Sequence, residues 1–465
     1  MKPIKLPAVS DSSNYSSIDP LDGRYYDREI AKYLSEASRT AYQAYVEVAL
    51  AHTLAESGVC SQEIALQIEE AASKVTPEAV ADAEKTTKHD VKALVDSIKS
   101  QLSDEAKPYV HFGATSYDIV ATALSLQLRD ATTQLVIPRL VVLEKTLIGL
   151  TEKYADTVQI GRTHGQHGVP ITFGFALAEY VSRIGASISS LTVLSSKLPG
   201  KFSGAVGAYN ALSIFVEDPQ AFERSVLSKL NIEPAPYSTQ IIPAEYYVRL
   251  MAELSVAAGV MANLANDMRH LQRSEIAEIR ESFDPNQTGS STMAHKRNPI
   301  SFENVVSLAK QVTSQLINAN LNLSSEHQRD LTDSASARFY GVAFATVASM
   351  ATRLDKAMAK IEVDEENMQK NLHLSQGAIA AEPLYLLLEK YGHTTAHEVS
   401  KSIAHQALEA KQSLYQVASQ DQSISEYFVK LTDSERQILQ SPETNYTGLA
   451  SQKAKQVAEF WKSKV

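Results

Sequence analysis

The sequence of 465 residues contains only one cysteine, Cys60. No disulfide can form within the chain, so its stability has to come from a packed core. Glycine and proline together make up only about 7% of the residues, against roughly 12% in average proteins. Because both residues interrupt helices, their scarcity predicts long helices. We expect Cys60 itself to be a partly buried, inert thiol in a helical stretch.

The chain also lacks an excess of positive charge. Its net charge of −10 disfavours nonspecific binding to nucleic acid or to anionic membranes, although a local cluster of cations can still bind a small anion. No run of about 18 apolar residues is present, and the N-terminal stretch has no apolar segment typical of a signal peptide. We therefore expect a cytoplasmic protein that binds neither nucleic acid nor membrane.

Hydrophobic residues recur at helical spacing. One stripe alternates steps of four and three residues and comprises Leu250, Leu254, Ala257, Met261, Leu264, Met268 and Leu271. Shorter stripes lie within 140–150 and 305–312, whereas strand-like patterns are confined to short stretches such as 157–160 and 238–242. This pattern predicts an all-α fold with a helical domain at 1–111, a central long-helix bundle at 112–355 and a C-terminal helical domain at 356–465.

Six polar islands interrupt the helical pattern, at 22–25, 86–90, 113–118, 161–168, 289–299 and 328–338. Any one of them is compatible with a simple connection between helices. Together they concentrate arginine, histidine, serine and threonine, which are the residues of anion binding and proton transfer. We therefore interpret the set as a candidate site.

Three of these islands carry identifiable chemistry. His164 lies in a glycine-flanked turn, and a histidine there suits proton transfer, although many such residues are simply solvated. Thr115 and Ser116 precede an expected helix, where hydroxyls can either cap the helix or bind a carboxylate. Arg329 and Arg338 fit either a phosphate site or ordinary surface ion pairs.

The island 289–299 reads Gly-Ser-Ser-Thr-Met-Ala-His-Lys-Arg-Asn-Pro and resembles the signature loop of the fumarase/aspartase superfamily, G-S-S-x-M-P-x-K-x-N-P. The one departure is Ala294, where the superfamily usually has proline. Two further islands, with R-T-H-x-Q at 162–166 and G-x-T-S-x-D at 113–118, also match blocks of this superfamily. The sequences DGRY at 22–25, KHDV at 88–91 and QRDLTDS at 328–334 are specific features of its adenylosuccinate lyase family.

The resemblance implies a carbon–nitrogen lyase that removes fumarate from a succinylated nucleotide. The two substrates of that family are adenylosuccinate, which yields AMP, and the succinyl-carboxamide intermediate SAICAR, which yields AICAR. The resemblance further implies that no metal or organic cofactor is needed. It also implies a homotetramer whose active sites are each shared between subunits.

The same resemblance assigns roles to individual residues. Ser290 would be the base, His164 the general acid, and Glu303 a partner that tunes proton transfer. His89 would bind phosphate or orient His164, and Lys296 would hold a carboxylate of the fumaryl group. The remaining substrate-binding residues would be Arg24, Tyr25, Lys88, Asp90, Thr115, Ser116, Gln240, Ser291, Asn298, Arg329, Ser334 and Arg338.

Other interpretations remain open at this point. The nearest rival keeps the fold and changes the substrate, as in argininosuccinate lyase or a carboxymuconate cycloisomerase. A rival of another class is a catalytically silent helical scaffold. His393 and His397 share a helix face as metal ligands do, but capping or packing is the better interpretation because no third ligand is evident.

Overall fold

The computed structural model describes residue 21, residues 23–283, residue 293 and residues 295–375 and 377–465. In this part of the chain nearly all regular structure is helical, which confirms the all-α prediction. The first ten helices are α1 (Arg28–Leu34), α2 (Glu36–Glu56), α3 (Gln62–Ser73), α4 (Pro77–Thr87), α5 (Asp90–Lys99), α6 (Ser116–Ala131), α7 (Ile137–Lys153), α8 (Phe173–Ser196), α9 (Pro219–Lys229) and α10 (Glu245–Leu271). The others are α11 (Ile300–Leu321), α12 (Tyr340–Met358), α13 (Glu365–His373), α14 (Ala381–Lys390), α15 (Ala396–Ala410), α16 (Leu414–Gln420), α17 (Ser425–Phe428), α18 (Asp433–Gln440), α19 (Pro442–Asn445) and α20 (Ala450–Lys462).

The chain forms two compact units, each built from three separate stretches. Unit 1 comprises the described residues of Met1–Leu140, Ser187–Gly259 and Ser307–Ala351. Unit 2 comprises those of Val141–Ala186, Val260–Val306 and Thr352–Val465. The division into three domains at 111 and 355 stays a prediction.

Each unit has an apolar core made by the buried faces of its helices. In unit 1, apolar residues of α2, α3, α5, α6 and α9 form one continuous cluster. In unit 2, residues of α14, α15 and α16 form a separate cluster. Cys60 is half-buried in the connection between α2 and α3, so its expected helical position was wrong, and burial raises the pKa of its thiol.

The long helix α10 carries the heptad-like stripe that the sequence predicts. The first six members of the stripe, from Leu250 to Met268, are buried, and Leu271 at its end is half-buried. By length and composition α10 is apolar enough to cross a membrane, but half of its most apolar window is buried inside the protein. Burial against other helices explains its apolar character, as in the core helices of soluble proteins.

Four short strands form two antiparallel pairs in the described part of the chain. Strands β1 (Val158–Thr163) and β2 (Gln166–Thr172) form a hairpin, and β3 (Ile279–Arg280) pairs with β4 (Glu362–Val363). The strand-like pattern at 157–160 thus falls in β1. The one at 238–242 forms no strand, because the Thr239 amide donates to Ile241 and the Gln240 amide donates to the Gln328 carbonyl.

Candidate active site

Unit 1 contains a cavity of about 540 Å³ that gathers residues from several of the polar islands. This volume lies within the range of about 300–1,000 Å³ that is usual for small-molecule sites. The lining includes eight of the predicted site residues: Lys88, His89, Asp90, Thr115, Ser116, Gln240, Ser334 and Arg338. Segments far apart in sequence therefore meet at one concave surface.

His89 stands at the edge of this cavity and is fixed by the helix that it caps. Its Nδ1 accepts the backbone N–H of Lys92 at 3.3 Å, which makes it the N-cap of α5. A ring nitrogen that accepts a hydrogen bond carries no proton, so the proton of the neutral ring lies on Nε2. Nε2 is 3.4 Å from the Ser116 hydroxyl. His89 therefore presents an N–H donor toward the start of α6.

The N-terminus of α6 is held by a buried ion pair. Asp118 accepts the Thr115 amide at 2.9 Å and the Gly204 amide at 3.1 Å, and it pairs with the ammonium of Lys201. Both charged side chains are fully buried. The pair fixes the helix end where the Thr115 and Ser116 hydroxyls lie, and a helix N-terminus attracts anions.

The loop 201–210 packs against Ser238 and Thr239, the segment that leads into Gln240. Glu223 accepts the Phe202 amide at 2.6 Å and the Tyr209 hydroxyl at 2.5 Å, which fixes both ends of this loop. Gly207 lies in the left-handed region with φ +83°, and a Cβ there would come within 2.1 Å of the Ser238 carbonyl oxygen. Only glycine permits this close approach, and the segment that it supports leads directly into Gln240.

Two predicted arginines lie on the island 328–338, one at the cavity and one beside it. Arg338 lines the cavity, with Nη2 3.2 Å from Asp90. Arg329 does not line it, but its guanidinium lies 3.9 Å above the ring of Tyr117, which does. Arg329 donates to Asp333 at 2.8 Å, while its Nε and Nη2 atoms are buried without a hydrogen-bond partner among the described residues. Buried, unsatisfied guanidinium donors favour an anion nearby.

Arg24 and Tyr25 occupy a turn before α1, closed by a hydrogen bond from the Tyr26 amide to the Gly23 carbonyl at 3.1 Å. They are not part of the cavity lining. Their predicted contact with substrate stays a prediction.

His164 belongs to unit 2 and lies at the tip of the β1–β2 hairpin. Thr163 pairs with Gln166, so His164 and Gly165 form a two-residue turn with φ of +53° and +73°. Positive φ at both positions is typical of a type I′ hairpin turn. The His164 side chain is exposed, and its place depends on the strands below it.

The base of this hairpin is anchored on Glu278, which is fully buried. Its carboxylate accepts hydrogen bonds from Gln159 at 2.7 Å, from both terminal nitrogens of Arg162, and from Asn371 at 2.7 Å. The strand bulges at Gly161, where a Cβ would come within 2.7 Å of the Val169 carbonyl oxygen. A bulge of this kind redirects the strand that carries Arg162 and His164.

Ser290, Ser291 and Ala294 of the signature loop lie outside the described residues. The chain on either side of the loop is tied together in unit 2. Glu281 accepts the Ser301 amide at 3.0 Å near the start of α11. Gln272 accepts the Glu281 amide at 2.9 Å and donates to the Arg297 carbonyl at 3.3 Å. The two ends of the loop are thus joined at its base.

Three more predicted residues follow in this part of unit 2. Lys296 is exposed, and its amide donates to the Met293 carbonyl at 3.0 Å. Asn298 is half-buried just before α11. Glu303 lies in the first turn of α11, with one carboxylate oxygen 3.9 Å from Arg269 Nε.

Some residues of the site had no clear sequence signal. Tyr117 and Asp333 lie inside recognised islands, so inspection of the whole islands would have found them. Arg39 in the first turn of α2 and Gln127 within α6 also line the cavity, and a polar residue on a helix is usually solvated. Glu278 lies in the charged run 275–281, which is indistinguishable from surface sequence.

The two histidines of the C-terminal region pack against aromatic rings, as expected, but they do not share a helix face, because His393 precedes α15. His393 Nδ1 accepts the Thr395 amide at 3.2 Å, and its ring lies 4.8 Å from that of Tyr427. His397 packs edge-on against Tyr385. Among the described residues no group of three or more His, Cys, Asp or Glu side chains is arranged to hold a metal ion.

Comparison with known proteins places these residues in a family. Residues 17–314 match the family described as Lyase, and residues 325–435 match the one described as Adenylosuccinate lyase C-terminal. The chain is 35% identical to the adenylosuccinate lyase of Archaeoglobus fulgidus, over 95% of this chain and 98% of that protein. It is 36% identical to the adenylosuccinate lyase of Pyrococcus horikoshii, over 96% and 98%.

A solved structure shares the fold. The crystal structure of 3-carboxy-cis,cis-muconate lactonizing enzyme from Pseudomonas putida matches with a TM-score of 0.83 and 27% identity, over 96% of this chain and 99% of that chain. That enzyme belongs to one of the rival groups considered above, so the fold does not choose between the substrates. The two family matches, and the identities over nearly the full length of the chain, do distinguish the adenylosuccinate lyase family from its rivals. The chain is a lyase that belongs to the adenylosuccinate lyase family.

Proposed function

We propose that this lyase eliminates fumarate from adenylosuccinate to give AMP, and from SAICAR to give AICAR. In both substrates the bond that breaks joins a nitrogen to an aspartyl carbon. The proposal is supported mainly by the unit 1 cavity, which brings together Lys88, His89, Arg338 and the N-terminus of α6. Cations, an N–H donor and a helix N-terminus are the groups that bind a phosphate.

The chemistry demands a base and an acid on opposite sides of the bond. The proton next to the carboxylate is weakly acidic, and its removal spreads negative charge into that carboxylate. We assign this proton to the hydroxyl oxygen of Ser290, which must first be deprotonated with the help of nearby positive charge. We assign protonation of the leaving nitrogen to His164.

The remaining roles follow from charge and hydrogen-bonding capacity. Ser291, Lys296 and Asn298 would hold the carboxylates of the fumaryl group as charge develops. Glu303 would tune the proton network around His164. The nucleotide would be bound by Arg24, Tyr25, Lys88, His89, Asp90, Thr115, Ser116, Gln240, Arg329, Ser334 and Arg338.

We further infer a cytoplasmic homotetramer in which each active site combines residues of several subunits. Membership of the adenylosuccinate lyase family supports this inference. A complementation experiment tests it. If the site is shared, mixing the Ser290→Ala protein with the His164→Gln protein, each of which lacks a proposed proton-transfer group, restores part of the activity after mild dissociation, because some sites then receive both intact residues.

The test of function follows the ultraviolet absorbance of the purified protein mixed with adenylosuccinate, beside a Ser290→Ala variant. We expect AMP and fumarate from the parent and a loss of turnover in the variant. A matched reaction with argininosuccinate separates this proposal from its nearest rival. Turnover of argininosuccinate alone would reject the nucleotide substrate. An absence of turnover on both substrates by a folded tetramer would favour the silent scaffold.

A further inference from the structure

Glu278 occupies an unusual position for a carboxylate, because four donor groups from two other chain segments surround it. Gln159 and Arg162 come from the β1 strand, Asn371 comes from α13, and Glu278 itself stands immediately before β3. The Asn371 side chain also donates to the Ile276 carbonyl at 2.8 Å, which fixes the backbone beside Glu278. The Glu278 carbonyl accepts the Asp364 amide at 2.9 Å. Both its side chain and its backbone are therefore held in place.

A small apolar cluster also lies under the hairpin. Ile160 on β1 packs with Leu372 on α13 and with Ile379, in a small cluster of buried residues. Beyond this cluster the strand turns outward at Gly161 and ends at the exposed His164. The Arg162–Glu278 contact is thus the outermost buried anchor before the tip. It lies two residues from His164 along the chain.

One of the titratable side chains of the hairpin, His167, lies close to this anchor. The hairpin 158–172 contains three of them, Arg162, His164 and His167. His167 pairs with Arg162 across the ladder and is half-buried. Burial, and then the charge of Arg162, lower the pKa of His167, whereas Glu278 opposes that shift. A neutral His167 leaves Arg162 and Glu278 as a balanced charged pair below the tip.

We propose that Glu278 is a positioning residue for His164: through the Arg162 guanidinium it fixes the base of the hairpin and thereby the place of the histidine at its tip. The inference rests on the proposed role of His164 as the acid. A bidentate arginine–carboxylate contact fixes an orientation that a single hydrogen bond does not. Because a displacement of about 1 Å in a catalytic group lowers a rate by up to about 100-fold, such an anchor matters for turnover.

The central variant is Glu278→Gln, which preserves shape but removes the negative charge and turns one acceptor into a donor. We expect kcat on adenylosuccinate to fall by about 10- to 100-fold, while KM stays within about threefold. The matched control is Arg280→Gln on the adjoining strand β3, which breaks the ion pairs of an exposed arginine with Glu362 and Asp364. We expect its kcat to equal that of the parent. Arg162→Lys keeps the positive charge but loses the two-point contact with Glu278. If Glu278→Gln does not fold, Arg162→Lys replaces it in the same measurement, with the same expected loss of kcat.

A double variant separates positioning from general damage. In a His164→Gln background the hairpin has no acid to place, so Glu278→Gln should lower kcat no further. A general loosening of unit 2 would instead lower kcat by the same factor in both backgrounds. That second result would overturn the proposal.

Amide hydrogen exchange provides a readout that does not depend on activity. In Glu278→Gln and in Arg162→Lys we expect the peptide 158–172 to exchange at least about tenfold faster, while the helices of unit 1 and the Arg280→Gln control keep the parent rates. Unchanged exchange in this peptide would reject Glu278 as the anchor, even if adenylosuccinate proves to be the substrate. Faster exchange combined with no turnover of adenylosuccinate by the parent would confirm the anchor and reject the proposed function instead.

Discussion

Two fully buried glutamates of unit 2 have opposite surroundings. Glu278 at the base of the hairpin receives hydrogen bonds from Gln159, Arg162 and Asn371. Glu144 on α7 is equally buried, but neither of its carboxyl oxygens has a hydrogen-bond partner among the described residues. Burial raises the pKa of Glu144 to about 8. At neutral pH it is therefore largely an uncharged acid in an apolar stripe.

The contrast shows that burial alone does not decide what a carboxylate does. A buried charge persists only where donors replace the water that it has lost. Glu278 has those donors and holds a functional element in place. Glu144 lacks them and takes up a proton instead, so it contributes volume to the core rather than charge.

The largest effect on stability is expected when the Glu278 carboxylate, which is surrounded by hydrogen-bond donors, is removed. Glu278→Leu leaves the Arg162 guanidinium partly buried without its partner, and we expect the free energy of unfolding to fall by about 3–5 kcal/mol. Denaturant unfolding at fixed protein concentration measures the change, since an oligomer's stability depends on concentration. The double variant Glu278→Leu/Arg162→Leu should recover much of the loss. A single variant as stable as the parent would contradict the assigned contact.

At the tip of the same hairpin, a substitution should lower the activity strongly and the stability very little. His164→Gln removes the proposed acid from an exposed position, so we expect kcat to fall by about 100-fold or more, equivalent to about 3 kcal/mol in the barrier. The free energy of unfolding should change by less than about 0.5 kcal/mol, as for other exposed sites. Steady-state kinetics and denaturant unfolding on one preparation measure both quantities. A stability loss as large as that of Glu278→Leu would mean that the tip is structural.

Glu144, which has no hydrogen-bond partner among the described residues, should make the free energy of unfolding depend on pH. Its pKa in the folded protein lies above the ordinary value of 4.5. The protonated form is therefore favoured by folding, and its contribution is fully present below pH 4.5 and is lost as the pH rises toward about 8. Glu144→Gln should have little effect near pH 5 and should raise the free energy of unfolding at pH 8 by about 1–3 kcal/mol. Unfolding curves at several pH values test this.

A matched control for that experiment lies on the same helix. Glu152 is exposed and pairs with Lys462 at 2.9 Å. Because surface ion pairs contribute little, Glu152→Gln should shift the unfolding free energy by less than about 1 kcal/mol at either pH. A pH-independent effect of Glu144→Gln would show that Glu144 is solvated or paired after all.

The smallest expected effect concerns His89, whose Nδ1 caps α5. Both His89→Asn and His89→Ala lose the Nε2 donor, and we expect each to raise KM for adenylosuccinate about tenfold. Asparagine can still accept the Lys92 amide, so His89→Ala should be less stable than His89→Asn by about 1 kcal/mol. Equal stability of the two variants would show that the cap contributes nothing.

Several features of the protein could be predicted from local sequence. The spacing of Leu250 to Met268 placed the core face of α10, because a helix repeats every 3.6 residues. The glycine-flanked His164 indicated a turn, and the Thr115–Ser116 pair indicated a helix start. The polar islands also identified the cationic and hydroxyl-bearing residues Lys88, His89, Thr115, Ser116 and Arg338 of the cavity lining, since motif residues are short-range signals.

The contacts that hold the site could not be predicted in this way. The Asp118–Lys201 pair joins residues more than 80 positions apart, and the Arg162–Glu278 pair joins residues 116 positions apart. A carboxylate in the run 275–281 has the same sequence appearance whether it is buried or exposed. The strand-like pattern at 238–242 likewise did not reveal where its backbone amides donate, and no strand forms there.

The sequence by itself therefore determined the helical class, the chemical groups available and the family to which they belong. Only the tertiary structure decided which of those groups are buried, which are satisfied and which meet. The physical reason is that periodicity and capping act within a few residues, whereas the burial and pairing of a charge depend on segments that come together only when the chain folds.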